Sequence, residues 1–257
     1  MNKFNNKVIE LSTLASTDDL KDAGDYVFRI REKASTHGKE MAKYAKEAGY
    51  NKVALYSGAA NSTYSDAFED EFKILGGEIV FSERYIEKSN DYRSGLLKIK
   101  SLAPDAVYLA GTAVDMAQIL VQASETDFNT KWLASAGAEN PKLIEIAGKN
   151  AEGLIFTTPA FNPEQEGGEA QKFVEAYKLK YGELPNFSAA NGYDGIMLVY
   201  QVMKKYGYDS ESIKNGLYAT KNFPGVGGTF SFDEFGEVEK EIMFKIVKDG
   251  QFVRFER

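Results

Sequence analysis

The chain holds few residues able to make or break bonds. His37 is its single histidine. A Ser/His/Asp relay would have to run through it, and no Gly-x-Ser-x-Gly elbow accompanies it. Standing at the start of a helical stretch, His37 is expected at the surface or as a cap. It lacks a histidine partner for a metal, and no metal or cofactor is expected. There is no cysteine, so thiolate catalysis, disulfides and Cys-based zinc sites are excluded. Gly225-Val226-Gly227-Gly228 is glycine-rich but lacks the Lys and the strand–loop–helix setting of a phosphate loop, and reads as a turn. Asp66, Glu69, Asp70 and Glu71 crowd one helix, which reads as a solvated acidic face. Asp66 and Asp115 stand near strand ends and are the candidates for carboxylate chemistry, but no paired acid/base spacing supports them.

The residues that point to recognition lie in short linkers: Ser57-Gly58-Ala59-Ala60-Asn61, Gly111-Thr112 and Ser135-Ala136-Gly137. Each follows a short apolar, β-rich segment: Val53–Ser57, Ala106–Ala110 and Lys131–Ala134. Glu78–Phe81 and Gly153–Thr157 are two further strand candidates. Amphipathic helical stretches separate them, at 62–75, 91–101, 113–124 and 140–147, with Asn140 as N-cap and Pro141 in the first turn. Strands alternating with helices predict a parallel sheet covered on both faces, a flavodoxin-like α/β fold. In a sheet of order 2-1-3-4-5 the crevice opens between the first and third strands. The Ser57–Asn61 and Gly111-Thr112 linkers would then face one another there. Both precede helices, so free backbone N–H groups would favour an anionic group.

The flanks differ from this centre. Lys7–Leu11 and Asp25–Ile30 read as strands, and 36–48 as a helix closed by Gly49. After a Gly/Pro/acidic loop at Phe161–Gly168 come three helical stretches, 169–181, 188–206 and 210–220. Phe223–Gly228 reads as a turn. Strands at 229–232, 242–248 and 252–255 follow, the last two joined by the hairpin signal Lys248-Asp249-Gly250-Gln251.

Composition narrows the partners. The 257 residues are 43% hydrophobic and carry a net charge of −7, with no cluster of Lys and Arg to follow a phosphate backbone. Nucleic acid is not expected as a partner. Most of the 15 Tyr and 17 Phe sit beside aliphatics at core spacing, and Trp132 lies within a strand, where packing is its expected role. Met1–Lys7 lacks the apolar stretch of a signal peptide.

Several stretches together resemble a known family. They include Leu11-Ser12-Thr13-Leu14-Ala15-Ser16-Thr17 with Tyr26-Val27-Phe28-Arg29, and Ala67–Lys73 with Leu75-Gly76-Gly77-Glu78-Ile79-Val80. Pro104-Asp105-Ala106-Val107-Tyr108, Ala151-Glu152-Gly153-Leu154, Gly192-Tyr193-Asp194 and Gly228–Asp233 complete the set. Their order over nearly the whole chain resembles the solute-binding proteins of ABC importers, in the branched-chain amino-acid-binding group with the type I periplasmic-binding fold. The resemblance implies a non-enzymatic binder of a small polar or carboxylated solute, working outside the cytoplasm with a membrane permease. It also implies two lobes: a C-terminal one from 31–158 with 224–257, and an N-terminal one from 1–30 with 159–223.

Two departures from the family pattern follow. The family's opening βα units are missing, so the N-terminal lobe would be truncated. Helices carrying Ile196, Leu198, Val199 and Val202 would then have little sheet to cover, and another chain or self-association would cover them. A ligand-sensing module completed by a partner chain is the alternative function. Second, Ala15, Ser16 and Thr17 match the residues that hold a ligand carboxylate, but the opposing wall is changed. The places of two aromatics and an ammonium-pairing Glu carry Ala60 (or Ser62), Thr112 and Ala136. Asn61, Thr112 and Ser135 would line that wall, with Tyr64 or Glu139 as substitutes. An ammonium buried without a counter-charge costs several kcal/mol, which points away from a standard branched-chain amino acid.

Overall fold

A computed structural model describes residues 7–164 and 167–256. Met1–Asn6 and the middle of the Phe161–Gly168 loop lie outside the described residues. In chain order the elements are β1 (Glu10–Ser12), β2 (Val27–Arg29), α1 (Ala34–Glu47), β3 (Lys52–Gly58), α2 (Ser62–Ile74), β4 (Glu78–Tyr85), α3 (Arg93–Ser101), β5 (Ala106–Ala110), α4 (Ala113–Glu125), β6 (Lys131–Ala134), α5 (Pro141–Ala147) and β7 (Ile155–Pro159). Then come α6 (Gly168–Tyr181), α7 (Phe187–Tyr206), α8 (Ser210–Tyr218), β8 (Phe223–Gly225), β9 (Gly228–Phe230), β10 (Ile242–Lys248) and β11 (Gln251–Phe255).

The chain divides into two compact units, one from 1–33 and 159–241, the other from 34–158 and 242–257. The boundary expected at Phe223 therefore falls at Glu241. Phe223, Phe230, Phe232 and Val238 bury themselves with Phe28, Ile30 and Leu198 in one apolar cluster. That burial holds 224–241 in the first unit.

The second unit is a seven-stranded sheet in the order β11-β10-β7-β6-β5-β3-β4. Its parallel part, β4-β3-β5-β6-β7, has the expected 2-1-3-4-5 winding. The strands read as near-continuous apolar runs because both faces are covered. One face holds Val107, Leu109, Met116, Ile119 and Phe156, the other Leu55, Phe68, Phe72, Tyr108 and Leu133. Local signals agree with this fold. The Asn140 side chain accepts from Lys142 N–H, with Pro141 opening α5. Asp249 and Gly250 both have positive φ, as a two-residue hairpin between β10 and β11 requires.

His37 departs from its expected surface place. It is buried, with its ring 5.8 Å from that of Tyr64. Close approach of α1 to α2 is the reason, and Gly38 permits it.

The first unit pairs β1 with β2 in parallel. Against them lie α7 and α8, and the antiparallel β8–β9 ribbon adds the 223–230 segment. The segment expected as a plain turn, 223–228, thus includes β8 and the first residue of β9. Its turn wraps the buried Asp194 carboxylate, which accepts from Val226 N–H at 2.7 Å and Gly227 N–H at 2.9 Å. A side chain at Gly225 would strike that carboxylate. The glycines thus serve an internal anion. On α7, Leu198 and Val202 are buried while Ile196 and Tyr200 stay exposed.

A Cβ at Gly38 would lie 2.3 Å from the Tyr64 carbonyl, a backbone clash that flexing a side chain cannot relieve. Gly38→Ala is expected to cost about 1–3 kcal/mol. It would lower the urea midpoint followed by Trp132 emission; an unchanged midpoint would contradict the close helix contact.

Candidate functional site

Parallel pairing places the ends of β3, β5 and β6 side by side. Ser57 is in register with Ala110, Leu109 with Ala134, and Ser135 N–H donates to the Leu109 carbonyl at 2.9 Å. The linkers after these strands therefore share one rim of the second unit, as expected. A Cβ on Gly137 would fall 2.3 Å from the Gly111 carbonyl, and one on Gly111 would strike the Tyr85 hydroxyl. Glycine at both places lets the linkers touch.

Asn61 and Ser62 lead into α2 and are half-buried, whereas Thr112 is exposed. Tyr64 stands in the first turn of α2 with its ring in the apolar cluster. Ser135 and Ala136 are buried, and the Ser135 hydroxyl has no hydrogen-bond partner among the described residues. The Thr157 hydroxyl, near the end of the neighbouring β7, is alike in this. Such groups cost about 1–3 kcal/mol each.

A polar network supports the rim from below. Thr112 caps α4: its hydroxyl accepts from Asp115 N–H at 3.2 Å and donates to Asp115 Oδ2 at 2.9 Å. Asp115 Oδ1 accepts from the Tyr92 hydroxyl at 2.8 Å and Lys88 N–H at 2.9 Å. Burial, then the Asp115 hydrogen bond, raises the Tyr92 pKa above the usual phenol range. Burial, and next the Asp115 charge, does the same for Tyr85. Tyr56, Tyr85 and Tyr92 pack edge to face on one another, with centroids 5.0 to 6.4 Å apart.

Two sequence expectations need correction here. The backbone N–H groups were expected to be open to an anionic solute. Instead Ala60 N–H donates to Glu87 at 2.9 Å, and Asp115 N–H is taken by Thr112. Glu139, beside Tyr64, was expected only as a substitute for the missing counter-charge of a solute ammonium. It is already paired with Lys245 and accepts from the Thr158 hydroxyl. Glu87 and Lys245 were missed because each lies far in sequence from the linker it serves. Asp66 and Asp115 are likewise committed: Asp66 pairs with Arg84 through both oxygens, at 2.9 and 3.1 Å.

In the first unit, Ala15, Ser16 and Thr17 form a loop between β1 and a 3-10 turn at 18–22, which Thr17 caps. Its carbonyls are pinned: Asn191 donates to Thr13 O at 3.2 Å, Arg31 to Leu14 O at 2.6 Å, and Arg29 to Thr17 O. Arg29 is itself buried and paired with Glu237, which also takes Lys33. Ala15 N–H, expected to hold a carboxylate, donates to Ser12 Oγ at 3.2 Å. The Thr17 side chain stays exposed, 3.3 Å from Asp19 Oδ2. Three cationic or amide donors on the carbonyl side fix this loop's shape before any solute arrives.

The chain matches a family model described as periplasmic binding protein over residues 4–251. It is similar to Leu/Ile/Val-binding protein homolog 7 of Brucella melitensis, at 27% identity over 93% of this chain and 66% of that one. It thus spans just under two thirds of that curated relative. Among solved structures it is similar to a leucine-binding protein, LivK, of Thermotoga maritima. There the TM-score is 0.91 and the identity 31%, over 98% of this chain and 73% of the other. It is also similar to LivJ of Streptococcus pneumoniae in complex with isoleucine, with TM-score 0.86 and 27% identity, covering 96% and 73%. The fold is the type I periplasmic-binding fold.

Removing the buried Asp115 carboxylate orphans the Tyr92 hydroxyl and Lys88 N–H together. Asp115→Ala is expected to cost at least about 2 kcal/mol. Asp115→Asn keeps an acceptor and should cost clearly less. Equal losses in urea unfolding would show that the network does not support the rim.

Proposed function

The chain belongs to the periplasmic binding protein family, and from that premise we propose that it binds a small polar or carboxylated, amino-acid-like solute without altering it. It would act as the substrate-binding component of an ABC transporter, outside the cytoplasm, delivering solute to a membrane permease. Thr17 with the Ala15-Ser16 backbone, and Asn61, Ser62, Tyr64, Thr112, Ser135 and Ala136, are the proposed contacts. The observation that carries this reading is the family match over 4–251, together with a rim of hydroxyl and small side chains at the ends of parallel strands.

Charge on that rim favours one end of the solute. Glu139 and Asp115 are spent on internal partners, and the side chains left over are hydroxyls and an amide. Recognition through a solute carboxylate is therefore favoured over recognition through an ammonium. A sensing module completed by another chain or a second copy is the alternative, favoured by the exposed Ile196, Tyr200 and Leu179. Light scattering separates the two: a monomer that binds solute supports transport, and assembly with rising concentration supports the alternative.

Calorimetry against leucine, isoleucine, valine and their 2-oxo acids should show saturable heat. The 2-oxo acids should bind no more than about tenfold more weakly than the amino acids, about 1.4 kcal/mol. Thr17→Ala should weaken binding by about tenfold or more, since hydrogen bonds to charged groups contribute about 1.5–3 kcal/mol. No heat from a sample with an intact melting transition would overturn the proposal.

A further inference from the structure

The second unit has a polar cavity at the opposite end of its strands. It lies where α4 ends and β6 begins, beside the 3-10 turn that precedes β7, and has a volume of about 410 Å³. That exceeds the lower bound of about 300 Å³ for small-molecule sites. The helix α4 runs back from the rim, so the strand length separates this cavity from the linkers described above.

Its wall includes Trp132, the single tryptophan of the chain. The indole is half-buried and packs edge to face on Phe128, with centroids 5.6 Å apart and planes at 71°. Phe128 is fixed in turn: its N–H donates to the Ala123 carbonyl at 2.9 Å, and it follows Asp127 in the left-handed region. Glu152, also on the lining, accepts from Asp249 N–H at 2.9 Å. Phe128 and Glu152 are thus each tied to the backbone of a neighbouring segment.

The chemistry of the lining selects the ligand class. Ser124, Asn129, Thr130 and Asn150 offer hydroxyl and amide groups that both donate and accept. Asp127 and Glu152 face a single Lys149, so the lining carries one net negative charge and disfavours an anionic ligand. An indole offers an apolar face with a single donor. A ring with hydroxyls around its edge and C–H groups on its face matches such a wall. We propose that this cavity is a second binding site, for a neutral pyranose sugar, separate from the solute site at the rim.

Trp132 reports on the site directly. The full chain is titrated with glucose, N-acetylglucosamine and maltose while indole emission is followed, and iodide quenching is measured with and without sugar. At least one sugar should change the emission saturably and shield Trp132 from iodide. The Asn129→Ala/Asn150→Ala variant, tested for an unchanged melting temperature, should weaken that binding at least tenfold, while Thr17→Ala should leave it unchanged. Should the double variant fail to fold, iodide shielding in the wild-type chain decides. No saturable response to any of the three sugars, or a response the double variant retains, overturns the proposal.

Discussion

Everything in the second unit depends on the parallel pairing of β3 with β5. These strands are neighbours in the sheet but are separated in sequence by α2, β4 and α3. The chain winds outward to β4, then returns past β3 to continue in the other direction. At that reversal the following helices lie on opposite faces, and the linkers part to leave a rim. The register of Ser57 with Ala110 fixes which side chains end there. A slip of one residue would turn the strand's apolar set around, and burial on both faces forbids it.

Charge at the rim is mostly consumed by the fold. Asp115 ties α4 to the Tyr92 segment, Glu87 takes the Ala60 N–H, and Glu139 meets Lys245. In the first unit, the buried Arg29–Glu237 pair, with the half-buried Lys33 on Glu237, holds the loop before the 3-10 turn through Arg29. Breaking such a pair by removing one member is strongly destabilising, because a charge is left buried alone. The groups that remain for a solute are hydroxyls, amides and small side chains on fixed elements. That composition suits selective binding on a preorganised surface.

Much of this could be read in the sequence. Alternation of apolar runs with amphipathic helices predicts a parallel sheet covered on both faces, since each element reports its own type locally, whereas the 2-1-3-4-5 order comes from the known winding of such sheets. Asn140-Pro141 and Asp249-Gly250 are local signals whose geometry needs no distant partner, and both appear as expected. What stayed hidden depends on distant pairs. His37 is buried because Gly38 admits α2, a contact across more than two dozen residues. Gly225 and Gly227 make sense only beside Asp194. Lys245 neutralises Glu139 from 106 positions away. The boundary at Glu241 rests on a cluster assembled from both ends of the chain.

The most direct measurement of the account is backbone amide exchange with and without the solute that gives the strongest calorimetric signal. Exchange should slow at 57–64, 110–116 and 134–139 in the second unit and at 12–19 in the first. Slowing confined to the amino-terminal ends of the strands, with the three linkers unaffected, would contradict the placement of the solute at the rim.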